Sequence, residues 1–226
     1  MTTTVDQKVR QCNCFKLLAA CFYEPEKEMF LRENLCDNLA SMFADLGLAA
    51  EAKAADRMKK ALEEQNDEDL KVEYARLFVG PFELVAPPYG SVYLDGNRML
   101  MGDSTLAVQK VYRDNGLTLE VRELPDHIAL ELEFMHYLCL REANAEAEEN
   151  KEEAGRFART QADFMRKFLG PWIVYFCHAV RKGTDNPFYF HLAECLEGFT
   201  VKTTSLPEKA FLTGESGVSH ACRVSA

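Results

Sequence analysis

The chain has 226 residues, 47% hydrophobic and 27% charged, which suits one globular domain with a substantial core. Its 26 Lys and Arg against 36 Asp and Glu leave a formal net charge of −10. That argues against a nucleic-acid or anionic-membrane surface, where a basic excess must displace counterions.

No run of about 18 apolar residues occurs, so no membrane span is expected. The opening segment MTTTVDQKVRQCNCFKLLAACFYEP is interrupted by Arg10 and Lys16. It reads as an amphipathic helix rather than a secretory signal, and the expected location is the cytoplasm.

In chain order, Val5 to Tyr23 is expected as the first helix, with Val9, Cys12, Phe15 and Phe22 near one face and Pro25 ending it. A second is expected from about Glu26 to Leu46, carrying Leu31, Leu35, Leu39, Met42 and Leu46, with Gly47 closing it. Ala49 to Gln65 reads as a largely exposed third helix. Asn66 and Asp67 offer caps for a fourth, which carries Leu70, Tyr74, Leu77 and Phe78 and stops at Gly80-Pro81.

After the loop 80–102, Asp103 or Ser104 caps a helix through Tyr112, stopped by Asn115-Gly116. Leu117 to Leu124 reads as an extended link without a strand partner. Pro125 marks a helix start, and Ile128, Leu132, Met135 and Leu138 continue that helix. The charged run REANAEAEENKEEAG reads as a solvated helix end or connection. Helices around Phe157–Phe168, Trp172–Val180 and Pro187–Phe199 complete an all-α fold of about nine to ten helices. The expected organisation is one helical domain over 1–200 and a flexible tail over 201–226.

Motifs that carry chemistry are sparse. There is no GxGxxG, no phosphate loop, no HExxH and no GxSxG elbow. Eight cysteines occur, but without a CxxC pair or a Cys/His quartet, and they read as reduced, structural residues; no metal site is expected. Of the five histidines, His127 follows Asp126 at a helix start. There a carboxylate suits the helix dipole, and the pair fits a binding rim better than a catalytic dyad, since no nucleophile accompanies it.

The segment APPYGSVYLDG, Ala86 to Gly96, breaks the helical pattern. Pro87-Pro88 favours extended backbone, Gly90 and Gly96 permit turns, and Tyr89 and Tyr93, with Phe82 nearby, supply rigid apolar area. Such a loop is either a structural corner or a surface that grips a peptide.

YARLFVGPFELVAPPYGSVYLDGNRMLMGDSTLAVQKVYRDNGL followed by ELPDHIALELEFMHYL resembles the TorD/DmsD/NarJ-like redox-enzyme maturation chaperones. The matching elements are Leu77-Phe78 with Gly80-Pro81, the run Pro87 to Asp95, Gly102-Asp103-Ser104-Thr105, Pro125-Asp126-His127, and Asn186-Pro187-Phe188-Tyr189. The resemblance covers about residues 5 to 200; the family pattern often has Trp where this chain has Tyr89 and Tyr93.

The resemblance implies an all-helical cytoplasmic chaperone, not an enzyme, monomeric or a domain-swapped homodimer. It would bind the twin-arginine signal peptide of a molybdoenzyme catalytic subunit, of the dimethyl-sulfoxide or trimethylamine N-oxide reductase type, and hold it until cofactor insertion and folding precede export. The implied peptide-binding residues are Leu77, Phe78, Pro88, Tyr89, Ser91, Tyr93, Asp126 and His127, with Tyr23 beside them. No cofactor is required, although weak GTP or molybdenum-cofactor binding is compatible with the family. The Tat translocase and cofactor-biosynthesis proteins are further partners it implies. The alternative reading is a nucleotide- or molybdenum-cofactor-binding maturation factor or NTPase.

Overall fold

The computed structural model describes residues 4–80, 84–95, 100–120 and 123–203. Helix α1 (Thr4–Ala20) is followed by α2 (Lys27–Arg32), α3 (Leu35–Asp45), α4 (Ala49–Glu64) and α5 (Asp67–Tyr74), which continues into a π-helical turn, Ala75–Val79. A short α6 (Gly90–Leu94) and α7 (Asp103–Asp114) lead to the long α8 (Ile128–Ala147). Helix α9 (Lys151–Phe164) passes through a second π turn, Met165–Leu169, into α10 (Gly170–Gly183), and α11 (Pro187–Thr203) follows. Taking α9 and α10 as one rod, the described residues form ten helices and no strand.

Local signals set most of these boundaries. Gly47 and Gly116 adopt φ of 76° and 78°, the left-handed region where glycine has no Cβ penalty. Each closes its helix with a bond from the following amide, Leu48 N to Phe43 O and Leu117 N to Tyr112 O. The Asn66 side chain accepts from the Asp69 amide at 2.7 Å and caps α5.

Four boundaries depart from expectation. The helix expected over 26–46 is broken at Glu33-Asn34, where Asn34 takes φ 49°. Asparagine tolerates that conformation, and the turn shifts the apolar register, so Leu31 is exposed while Leu35 and Leu39 are buried. Phe30 docks instead, stacked on Phe188 at 6.1 Å. The helices expected around Phe157–Phe168 and Trp172–Val180 join through a π turn, and Pro171 between them sits in the first turn of α10; that π turn loosens the ladder where proline has no N–H to give. Helix α8 starts at Ile128 rather than Pro125, because Pro125 and Asp126 form a turn. Helix α11 runs on to Thr203, with Thr200 buried, so the domain extends beyond 200. Phe82, Gly96 and the tail 204–226 lie outside the described residues.

Helix α1 packs along α8, α4 lies between α3 and α11, and α9 and α10 cover α8 and α11. Phe15 and Phe43 meet Phe199 in the middle of the core. At one end Phe78 is ringed by Phe22, Tyr74, Phe176 and Tyr189, and this aromatic floor underlies the proline loop.

The cysteine expectation is corrected at one place: Cys12 and Cys139 are disulfide-bonded. They lie 127 residues apart, but the α1–α8 packing brings their Cα atoms to 5.3 Å, within the range that a disulfide spans. Cys14, Cys21, Cys36, Cys177 and Cys195 are free and buried, as expected.

Candidate functional site

The proline loop is tied to the Pro125–Ile128 turn by a two-bond antiparallel ladder. The Gly90 amide donates to Asp126 O at 2.9 Å, and the Ile128 amide donates to Pro88 O at 2.8 Å. Tyr89 and His127 therefore face each other as an isolated β-bridge, in the position without hydrogen bonds between the pair, where side chains approach most closely. Their rings meet edge to face at 5.2 Å. The Asp126 carboxylate adds a third tie, accepting from the Ser91 amide at 2.7 Å. It thereby caps the first turn of α6, which has no capping side chain of its own. The Tyr112 hydroxyl donates to Pro125 O at 2.9 Å and pins the turn from α7.

His127 caps α8: its Nδ1 accepts from the Ala129 amide at 3.2 Å. The ring is only 3% exposed. Burial lowers its pKa to about 4, against an upward pull from Glu123 and Asp126, so near neutral pH the imidazole is uncharged and the lone pair that the cap needs is free. Tyr23, just past the end of α1, stacks on His127 at 6.2 Å with 21° between planes. The Tyr89 hydroxyl donates to Glu123 Oε2 at 3.0 Å, and the Tyr74 hydroxyl donates to Phe22 O at 3.3 Å.

Tyr23, Tyr74, Tyr89 and His127 thus make one aromatic patch, and Glu24, Glu123 and Glu133 stand exposed around it. The surroundings act on the phenols. Burial, then Glu133 and Glu123, push Tyr23 up; burial, then Glu123, push Tyr89 up; burial, then Glu123 and Glu24, take Tyr74 to about 12. Carboxylates that raise a phenol disfavour further negative charge and favour a cation in the same place.

On the inner side of the loop, Tyr93 stacks on the buried Trp172 at 5.5 Å. The Trp172 indole donates to Glu131 Oε2 at 3.2 Å. Gly90 passes so close that a Cβ there would stand 3.0 Å from Trp172 Nε1.

The residues singled out from sequence divide into two groups. Tyr23, Tyr89 and Tyr93 are half-buried and offer surface. Leu77, Phe78, Pro88, Ser91, Asp126 and His127 are buried beneath them. Leu77 and Phe78 occupy the π turn after α5, where Leu77 O receives the Ala86 amide and Phe78 sits in the aromatic floor. Both side chains are buried in this structure.

The sequence reading passed over Glu131, Trp172 and the exposed face of Tyr74. Glu131 carried a legible signal: it lies three residues after Ile128 and four before Met135, on the apolar stripe of α8, yet is charged.

Two open clefts lie on other faces, one of about 670 Å³ beside Glu142, Glu146 and Lys151, the other of about 550 Å³ beside Glu51, Lys53, Arg57 and Lys202. Neither borders the proline loop. No helix among the described residues is long and apolar enough to cross a membrane.

The chain is similar to several known proteins. The chain is 31% identical over 131 residues to the Tat proofreading chaperone DmsD of Salmonella typhimurium, an alignment that spans 57% of each chain. It is 28% identical over 198 residues to the chaperone protein TorD of Vibrio parahaemolyticus, spanning 84% of this chain and 87% of that one. The perchlorate reductase assembly chaperone protein of Dechloromonas aromatica is 29% identical over 132 residues, 56% of this chain and 58% of the relative. The crystal structure of a redox enzyme maturation protein from Archaeoglobus fulgidus superposes with a TM-score of 0.51 at 23% identity, covering 83% of this chain and 93% of that one, and establishes the likeness of fold. Residues 31–178 match the family described as nitrate reductase delta subunit; the chain belongs to that family, together with the TorD and DmsD chaperones that it resembles.

Proposed function

We propose that this protein is a cytoplasmic maturation chaperone for a molybdopterin-containing oxidoreductase. It binds the twin-arginine signal peptide of the catalytic subunit and withholds it from the Tat translocase while cofactor insertion and folding are completed. The observation that carries this reading is the aromatic patch of Tyr23, Tyr74, Tyr89 and His127 with Glu24, Glu123 and Glu133 around it. A guanidinium is the group that both halves of such a surface attract: it stacks on aromatic faces and pairs with carboxylates in a fork. The apolar stretch that follows the arginines in such signals would lie on the half-buried tyrosines. The net charge of −10 favours encounter with a basic peptide more than it adds to final affinity. The similar proteins, a Tat proofreading chaperone and a perchlorate reductase assembly chaperone protein, agree with this role.

Calorimetric titration with a twin-arginine signal peptide tests it. Tight binding is expected, and Tyr23→Ala with Tyr89→Ala together should weaken it roughly a hundredfold, about what losing two aromatic anchors costs at an interface. Failure of signals from several molybdoenzymes to bind, or a double variant that binds as tightly as wild type, overturns the reading.

A further inference from the structure

Behind the aromatic patch two carboxyl groups are sealed from solvent: Asp126 is 1% exposed and Glu131 0%. Both bear on the Gly90–Ser91 turn. Asp126 holds it twice, its backbone carbonyl accepting from the Gly90 amide and its carboxylate from the Ser91 amide, and Glu131 Oε1 lies 3.5 Å from where a Gly90 Cβ would stand. Each carboxyl keeps one buried oxygen, Asp126 Oδ1 and Glu131 Oε1, without a hydrogen-bond partner, and the buried Ser91 Oγ likewise has none. Buried polar atoms without partners are uncommon, and beyond the single O–H that a protonated carboxyl can supply, two carboxyl groups at one turn leave acceptor positions that only a donor from outside can fill. The Trp172 indole is already committed to Glu131 Oε2.

What is missing is a group with several N–H bonds and a positive charge. A guanidinium supplies five donors in a planar fork and can serve two carboxylates at once. On one side the carboxyls meet the Gly90–Ser91 turn, which is held to the Pro125–Ile128 segment by the three bonds described above. We propose that Asp126 and Glu131 form a concealed acidic seat, closed by the Gly90–Ser91 turn, which receives one guanidinium of a bound peptide when the turn lifts. The proposal rests on the peptide-binding reading and assigns, within it, the groups that read an arginine.

The seat has a proton signature. Burial, and then the Asp126 charge, raise the Glu131 carboxyl well above its ordinary value, while the Trp172 hydrogen bond pulls weakly the other way. Tyr112 faces it from α7 and is itself held neutral, chiefly by burial. His127, on the neighbouring turn, is already uncharged near neutral pH. In the closed state Glu131 therefore carries its proton. A guanidinium entering the seat stabilises the carboxylate, and the proton leaves to solvent.

The experiment is calorimetry with a twin-arginine peptide and with its counterpart in which both arginines are glutamine, each in two buffers of different ionisation enthalpy, on wild type and Glu131→Gln. Wild type is expected to prefer the arginine peptide by roughly tenfold to a hundredfold, the range for a hydrogen bond to a buried charge. About one proton should be released per arginine peptide and none per glutamine peptide. Glu131→Gln should release no proton with either peptide and lose most of the preference for arginine over glutamine.

A wild type that prefers arginine without releasing a proton overturns the seat and leaves the surface carboxylates as the readers. So does a Glu131→Gln variant that keeps the full preference. The wild-type proton count decides the matter even if the variant fails to fold. Absence of binding by either peptide overturns the functional reading itself, and the seat with it.

Discussion

His127 holds its place by staying neutral, and that ties the stability of the site to pH. Its Nδ1 accepts from the Ala129 amide, which an imidazolium cannot do. With a folded pKa lowered to about 4 by burial and an unfolded value near 6.5, the unfolded chain binds the extra proton as pH falls from about 6.5 to 4. Stability contributed by the neutral ring is therefore complete above that window and is lost on the way down, on the order of 3 kcal/mol in all. Glu131 acts in the opposite direction, because its folded value is raised. The comparison that isolates His127 is wild type against His127→Gln, both carrying Glu131. Glutamine can still accept at the cap but does not titrate. The lead of wild type in denaturation free energy should shrink between pH 7 and pH 4.5; an unchanged lead would show that the ring does not titrate as its burial implies.

At the scale of elements, the site is a clamp between a loop and a helix start, and Gly90 is its tightest point. A Cβ there would stand 3.0 Å from Trp172 Nε1 and 3.3 Å from Cε2, inside ordinary contact. Alanine in α6 gains about 0.5–1 kcal/mol over glycine in backbone entropy, while overpacking of this kind costs about 1–3 kcal/mol. Gly90→Ala should therefore be destabilising by about 1 kcal/mol, read as a lower melting temperature. It should also loosen the Ser91–Asp126 bond, read as faster exchange of the Ser91 amide.

This clamp also marks where the sequence stops being legible. The stops at Gly47 and Gly116 and the cap at Asn66 were readable because each acts on its own helix within a few residues. The break at Asn34 was not, since residues 26–46 contain no glycine or proline and Phe30 is drawn to Phe188, far along the chain. Helix α6 was missed for the same reason: its cap is the carboxylate of Asp126, 35 residues downstream. Family motifs did flag Pro88, Tyr89, Ser91, Asp126 and His127, which the fold brings to one place. They did not distinguish residues that offer surface from residues that hold it up, because that depends on which side of the loop each faces. Asp126 is the instructive case: expected as a rim charge, it is a buried brace.

At the scale of the whole molecule, the pairing of α1 with α8 decides whether the aromatic patch exists. Tyr23 follows the last turn of α1 and His127 precedes the first turn of α8, so their stack is set by how these antiparallel helices lie. The other end of the seam is fixed by Lys8, which pairs with Glu142 and with Glu146; all three side chains are at least partly buried. Between the two ends the Cys12–Cys139 disulfide joins the helices. Closing a loop of that length constrains the unfolded chain, and breaking such a bond typically removes about 2–4 kcal/mol. Thiol titration of the denatured, unreduced protein should therefore find six thiols, the eight cysteines less the bonded pair. Cys139→Ser, or reduction, should lower the unfolding free energy by about 2–4 kcal/mol. A count of eight thiols in protein purified without reductant would mean that apolar packing and the Lys8 ion pairs hold the seam alone. In that case Cys139→Ser should change stability by less than about 1 kcal/mol beyond the change in packing, and the Tyr23–His127 stack would owe its geometry to the helix faces and not to the covalent tie.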